Sequence, residues 1–308
     1  MLPASAKFLS ALRNLLSDSH PAQDGMATQQ PTGTDMPIGV FDSGIGGLSV
    51  LRHIQAVLPQ ENLIYVADSG FAPYGGKPEA VIVARTLAIA EFLLIRGVKA
   101  LVVACNTATG AAILGLRERY PGLPIVGVEP GLKPAAAITQ TRTVGVLATE
   151  RTLDSIKFNL LHEQITEATG VRFLLQPCSG LADQVEKGEL RSAATAALVQ
   201  RYVAPLIEGG ADTLVLGCTH YPFLQPLIEE IARRAGGQPV HIIDTGAAVA
   251  RQLTRMLSQH GLQRQVDGNR ALTCFTTGSR TTMTTALLHL LKLQADVTEI
   301  ADISSSEL

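Results

Sequence analysis

The sequence predicts an α/β fold made of two pseudo-symmetric α/β domains with mainly parallel sheets and a cleft between them. Three observations carry this reading. Short apolar runs, rich in β-branched residues, alternate with longer helix-like stretches along most of the chain, the pattern of parallel sheets covered by helices. Polar or glycine-rich residues follow many of those runs, and open α/β sheets bind ligands at the carboxyl ends of strands. Finally, Ile38-Gly39-Val40-Phe41-Asp42-Ser43 matches Val144-Gly145-Val146-Leu147-Ala148-Thr149, and the strand ending in Cys105 matches the one ending in Cys218. Both matches fall about 110 positions apart and in the same order, which indicates an internal repeat.

Residues 1–36 read as a flexible amino-terminal extension. Phe8, Leu9, Leu12, Leu15 and Leu16 have helical spacing, and His20 to Asp35 is polar and linker-like. The first strand, from Pro37, runs into Asp42-Ser43-Gly44-Ile45-Gly46-Gly47 and a helix with Leu51 and Ile54 inside. Backbone amides at such a turn suit an anionic group. The spacing is not that of a dinucleotide-binding fingerprint, and no Gly-Lys-Ser/Thr follows. Asp42 fits either an N-cap or a functional carboxylate. The strand Leu63–Ala67 leads to a loop shaped by glycine and proline, which carries Asp68, Pro73, Tyr74 and Gly75. There Tyr74 either packs or offers its hydroxyl and the neighbouring amide to a ligand. A helix over 81–95, the strand to Cys105, a helix to about Tyr120 and the strand Ile125–Val128 complete the first half.

The alternation restarts after Gly131. A helix near 152–162, a strand over 171–176, a helix containing Glu186 and a helix over 191–207 precede Gly217-Cys218-Thr219-His220-Tyr221-Pro222. The tail from His241 onward holds a strand, a helix over 247–259, a strand over 271–275 and a helix near 281–293, and is expected to pack back on the first half. The predicted domains are 37–130 plus 243–308, and 131–242.

Composition narrows the function. The 308 residues suffice for two medium domains, and 46% apolar with 17% charged residues is an ordinary globular balance. A net charge of −2 gives no reason to expect nucleic acid or an anionic membrane as partner. The absence of tryptophan and 4% aromatic residues disfavour a base-stacking surface. No run is long and apolar enough to span a bilayer. The four cysteines (Cys105, Cys178, Cys218, Cys274) lack metal-ligand spacing, and no apolar signal segment is evident, so they read as reduced thiols in a cytoplasmic compartment.

Taken singly, Cys105 fits core packing as well as chemistry, because free cysteine is among the most buried residue types. The repeat changes this. Cys105 and Cys218 would face one cleft from matching strand ends. Two thiols approaching one carbon from opposite faces suit inversion of a stereocentre, one removing a proton and the other delivering one. A modest shift from the ordinary thiol pKa makes a usable base. His220, two residues from Cys218, and Asp42, at a strand end in the unit of Cys105, are placed to steady or relay a proton. Cys178 and Cys274 lack this context and read as structural.

The segments Asp42–Gly47, Asp68…Pro73-Tyr74-Gly75, Ala104-Cys105-Asn106-Thr107-Ala108 and Gly217–Pro222 together resemble the glutamate racemases, a branch of the cofactor-independent aspartate/glutamate racemases. The likeness runs from about Pro37 to near the end, with the motifs in order. It implies interconversion of L- and D-glutamate for peptidoglycan, with no cofactor and no metal. By matching position, it implies that Cys105 handles the proton on the D face and Cys218 that on the L face, assisted by Asp42, Glu186 and His220. It places Asp42, Ser43, Tyr74, Gly75, Asn106, Thr107, Thr219 and His220 against the substrate, and implies a homodimer. Three positions depart from the pattern. Phe71 stands near where an arginine is usual, Ser179 replaces a proline after Cys178, and Arg151 replaces a common glycine. Two other readings are a two-cysteine racemase acting on aspartate or a hydantoin, and a two-lobed binding protein. The second would leave the paired cysteines without a purpose.

Overall fold

Every strand at the centre of the first half sends apolar side chains to both of its faces. The computed structural model describes residues 33–236, 238–265, 270–301 and 303. In it β1 (Ile38–Asp42) puts Ile38 and Val40 into one apolar cluster and Phe41 into another. In β2 (Leu63–Ala67), Leu63 and Tyr65 join the first cluster while Ile64 and Val66 join the second. β3 (Ala100–Val103) divides in the same way, with Val102 on one side and Leu101 and Val103 on the other. A sheet buried on both faces needs unbroken apolar runs rather than alternation, which is why these segments read as strands in the sequence.

The connections are helical. α1 (Leu48–Val57), α2 (Glu79–Ile95) and α3 (Asn106–Arg119) link β1, β2, β3 and β4 (Ile125–Gly127), and the strands lie parallel in the order β2-β1-β3-β4. After α4 (Leu132–Ile138) the scheme repeats. β5 (Thr143–Ala148), β6 (Arg172–Pro177), β7 (Thr213–Gly217) and β8 (His241–Ile243) are parallel in the order β6-β5-β7-β8. They are joined through α5 (Glu150–Asp154), α6 (Ile156–Thr169), α7 (Leu181–Glu186), α8 (Ala193–Glu208) and α9 (Gln225–Gly236). The strand order of the two sheets is the same, as the internal repeat predicts. Val144, Val146 and Val215 pack against Phe158 and Ile165 of α6. Leu147, Leu214 and Leu216 face Val199 and Val203 of α8, in the cluster that also holds Ile38 and Val40.

The tail differs from expectation at one place. The strand beginning at His241 stays with the second sheet, where Thr213 pairs with His241 and Val215 with Ile243. The return to the first half comes later. α10 (Gly246–Gln259) lies along α1. β9 (Leu272–Thr276) pairs with β2, and after α11 (Arg280–Ala286) β10 (Asp296–Glu299) pairs with β9. The helix expected near 281–293 is α-helical only to Ala286 and continues as a π turn to Leu291. The amphipathic segment at Phe8–Leu16 lies outside the described residues. Thr34 is tied down, its carbonyl accepting from Lys99 Nζ at 2.6 Å.

Helix α8 offers a direct stability test. Its N-cap Ser192 accepts the Thr195 N–H at 3.2 Å. Ser192→Ala is expected to lower unfolding free energy by about 1 kcal/mol, read from urea melts, with no change in the m-value.

In each sheet the chain leaves the first strand toward one neighbour and reaches the third on its other side. This creates a crevice at the carboxyl ends of β1 and β3, and of β5 and β7. Asp42 and Cys105 stand at the first crevice, Thr149 and Cys218 at the second.

Candidate active site

Cys105 closes β3 and caps α3. Its Sγ accepts the Ala108 N–H at 3.4 Å and lies 3.7 Å from Ser43 Oγ. Asn106 and Thr107 follow in the first turn of α3, where N–H groups have no intrahelical acceptor. The Asn106 side-chain nitrogen is buried without a partner, and a buried donor left this way is suited to an anionic ligand. Asp42 is not the N-cap of α1, because Gly47 holds that place without a side-chain cap. The Asp42 carboxylate instead accepts the Gly44 N–H at 3.1 Å and the Thr219 hydroxyl at 3.2 Å.

The second half brings Cys218, Thr219 and His220 from the end of β7. Cys218 Sγ lies 3.5 Å from His220 Nδ1, and His220 Nε2 lies 2.7 Å from Glu186 Oε1. Glu186, at the end of α7, also accepts the Ile45 N–H at 2.8 Å. The chain Cys218–His220–Glu186 therefore closes onto the glycine turn after β1. Glycines make this closure possible. A Cβ on Gly44 would collide with the Glu186 carboxylate, and one on Gly46 would come within 2.5 Å of the His220 ring. The turn does not hold its Gly44 and Ile45 amides for an external anion, as the sequence suggests. They are taken by the protein's own carboxylates, Asp42 and Glu186.

The two thiols sit in unlike fields. Burial, then the nearby Asp42, pushes the Cys105 thiol up to about 12, against the opposing Ala108 N–H and Ser43 hydroxyl. Burial works against a proton on His220, but Cys218 and Glu186 outweigh it and hold the imidazole well above its ordinary value. Asp42 is raised by burial, with His220 opposing and Glu186 adding to the rise. Near neutrality Cys105 is a thiol and His220 an imidazolium. Burial likewise raises Cys178 and Cys274, as suits structural thiols.

Cys105 and Cys218 line one tight cavity, with Ser43, Tyr74, Gly75, Asn106, Thr107, Thr219 and His220 around it. The expected site residues thus come together, except that Asp42 and Glu186 stand behind this lining and act on Thr219 and His220. The Tyr74 hydroxyl is engaged, donating to Asp68 at 2.5 Å. Thr149, absent from the sequence-derived set, also lines the cavity. Its hydroxyl lies 3.0 Å from Thr107 Oγ1 and 2.9 Å from Thr152 Oγ1. Its signal was in the repeat, where it stands opposite Ser43. Cys178 lines an adjoining cavity that shares Pro73, Gly75, Thr149 and Ala182 with the first.

The profile of the Asp/Glu/hydantoin racemase family matches residues 38–253. The chain belongs to this family. Among curated relatives, the glutamate racemase of Methylococcus capsulatus is 58% identical over 231 residues, covering 75% of this chain and 83% of that protein. That of Ectopseudomonas mendocina is 58% identical over 226 residues, 73% of this chain and 84% of that protein. A crystal structure of a glutamate racemase isoform from Bacillus anthracis superposes with a TM-score of 0.77 at 32% identity, over 88% of this chain and 100% of that one. The glutamate racemase of Francisella tularensis, solved in complex with D-glutamate, gives a TM-score of 0.76 at 28% identity, over 88% and 99%. The two-domain racemase fold is therefore the fold of this chain.

Proposed function

We propose that this chain interconverts L- and D-glutamate by proton transfer at Cα between two cysteines. The observation that carries the reading is that Cys105 and Cys218, from equivalent strand ends of two repeated halves, line the same cavity. The substrate assignment is supported by the high identity to glutamate racemases and by the relative solved with D-glutamate.

In the L to D direction the Cys218 thiolate takes the Cα proton, and the Cys105 thiol gives its proton to the opposite face. The electron pair left on Cα forms the new C–H bond, so the charge lost at Cys218 reappears at Cys105. The unlike fields favour this resting arrangement. An imidazolium 3.5 Å from Cys218 Sγ steadies negative charge there, and Glu186 holds the imidazolium. Cys105, buried beside Asp42, keeps its proton. The amides heading α3, with the unpartnered Asn106 nitrogen, suit one carboxylate. The Ser43 hydroxyl and the backbone at Tyr74 and Gly75, with the Tyr74 phenol engaged by Asp68, suit the other end of the substrate. The halves 37–130 with 243–308 and 131–242 act as lobes closing over it. Family resemblance supports a cytoplasmic homodimer that makes D-glutamate for peptidoglycan.

Purified chain incubated with L-glutamate in D2O, without added cofactor, is expected to racemise it and to place deuterium at Cα. Circular dichroism follows the first and proton NMR the second. Absence of both, or equal turnover of aspartate, defeats the assignment.

A further inference from the structure

The carboxylate of Asp68 is saturated by donors that converge from three parts of the chain. Arg85 of α2 grips it with two nitrogens, Nε to Oδ2 at 3.0 Å and Nη2 to Oδ1 at 2.7 Å. The Tyr74 hydroxyl donates to Oδ2 at 2.5 Å, and the Thr277 hydroxyl donates to Oδ1 at 2.8 Å. The pair is buried, with 0% of the Asp68 side chain and 10% of the Arg85 side chain exposed. Planar two-point contacts of this kind fix orientation as well as charge. The Arg85 guanidinium also lies over the Phe71 ring, 3.8 Å from its centroid.

This cluster holds the loop between β2 and α2, and the loop enters the cavity. Pro73, Tyr74 and Gly75 are lining residues. Gly75 presses against the other half, where a Cβ would come within 2.8 Å of Thr149 Cβ. Any drift of the Tyr74 ring therefore moves Gly75 at the wall shared by both lobes. The four groups assigned to proton transfer beside Asp42, namely Cys105, Cys218, His220 and Glu186, sit on other elements.

We propose that Asp68, pinned by Arg85, is a positioning residue that fixes Tyr74 and Gly75 at the cavity and so sets the affinity for glutamate rather than the rate of proton transfer. The inference rests on the racemase reading above. Removal of a phenol-to-carboxylate hydrogen bond in Tyr74→Phe is expected to raise the KM for glutamate about threefold to tenfold, with kcat within about twofold of wild type. Arg85→Lys keeps the charge but loses the two-point grip, and is expected to do the same. Both act through Asp68, so the double variant falls well short of the product of the single effects. A phenol that touched substrate directly would give multiplicative effects, and that result overturns the proposal. So does a fall in kcat with KM unchanged. A role confined to folding would lower the melting temperature and leave KM at its wild-type value, which overturns it too.

Hydrogen exchange gives a reading independent of activity. In Asp68→Asn, amides of residues 69–77 are expected to exchange at least about tenfold faster, with those of β1 unchanged. Unchanged exchange in the loop refutes the clamp. If the wild type does not racemise glutamate, the racemase reading fails, and the exchange result alone decides whether the clamp exists.

Discussion

Cys105→Ser and Cys218→Ser are each expected to lower racemisation of glutamate by about a thousandfold or more, with little change in melting temperature. Serine is nearly isosteric with cysteine, so packing at these buried positions, 4% and 7% exposed, changes little. What changes is acidity. An alcohol holds its proton far more tightly than a thiol, so it is a poor donor at position 105 and cannot supply the base at position 218. Positioned acids and bases each contribute on the order of a hundredfold to ten-thousandfold, and inversion by the proposed mechanism needs both in every turnover. The two losses are therefore of similar size, and the double variant is barely worse than either single one, as expected for groups acting as a unit. Circular dichroism of glutamate measures the rate, and thermal unfolding verifies the fold. A single variant retaining more than about a tenth of wild-type activity is incompatible with the two-thiol mechanism.

The cysteine pair was legible in the sequence because the repeat is written in strand ends. Identical strand order puts Cys105 after β3 and Cys218 after β7, each beside the first strand of its half. The strands were legible because their two buried faces forbid polar interruptions. The tail from His241 was expected to pack on the first half although the predicted boundary fell inside β8, after residue 242, because three residues, His241–Ile243, carry no pattern that distinguishes one sheet from another. Glu186 has no signal of its own. On α7 it reads as a surface charge, and only the resemblance singled it out. Its partner is a ring 34 residues away, and the turn that receives it is 141 residues away. In hindsight Gly44 and Gly46 were the trace of it, since they leave the space that Glu186 and His220 fill. The pairing of Asp68 with Arg85 stayed hidden for the same reason. Seventeen residues and a change of element separate them, and only packing of α2 against the loop makes them a pair.

His220→Asn is expected to reduce kcat/KM about a hundredfold near neutrality and to abolish the fall in activity that the wild type shows once the pH is high enough to deprotonate the imidazolium. The sign follows from the charge on the ring. Cys218 and Glu186 together hold the imidazole protonated well above its ordinary value, overcoming the burial that opposes it. A cation 3.5 Å from Cys218 Sγ steadies negative charge there, which the proposed abstraction of the Cα proton requires. Asparagine keeps a polar group of similar reach but carries no charge, so it steadies no negative charge on Sγ at any pH. The wild-type rate should therefore fall toward that of the variant as the pH rises through the raised value of the ring, because the charge that distinguishes the two is lost there. The loss must be equal for L- and D-glutamate in kcat/KM, because enantiomers have equal free energies and the equilibrium constant is unity. Asymmetry appears instead in the primary isotope effect with Cα-deuterated substrate. Under the proposed mechanism it should grow for the L enantiomer, whose proton goes to Cys218, and fall for the D enantiomer, whose proton goes to Cys105. A variant whose pH profile parallels the wild type would show that His220 packs against Cys218 without steadying its charge.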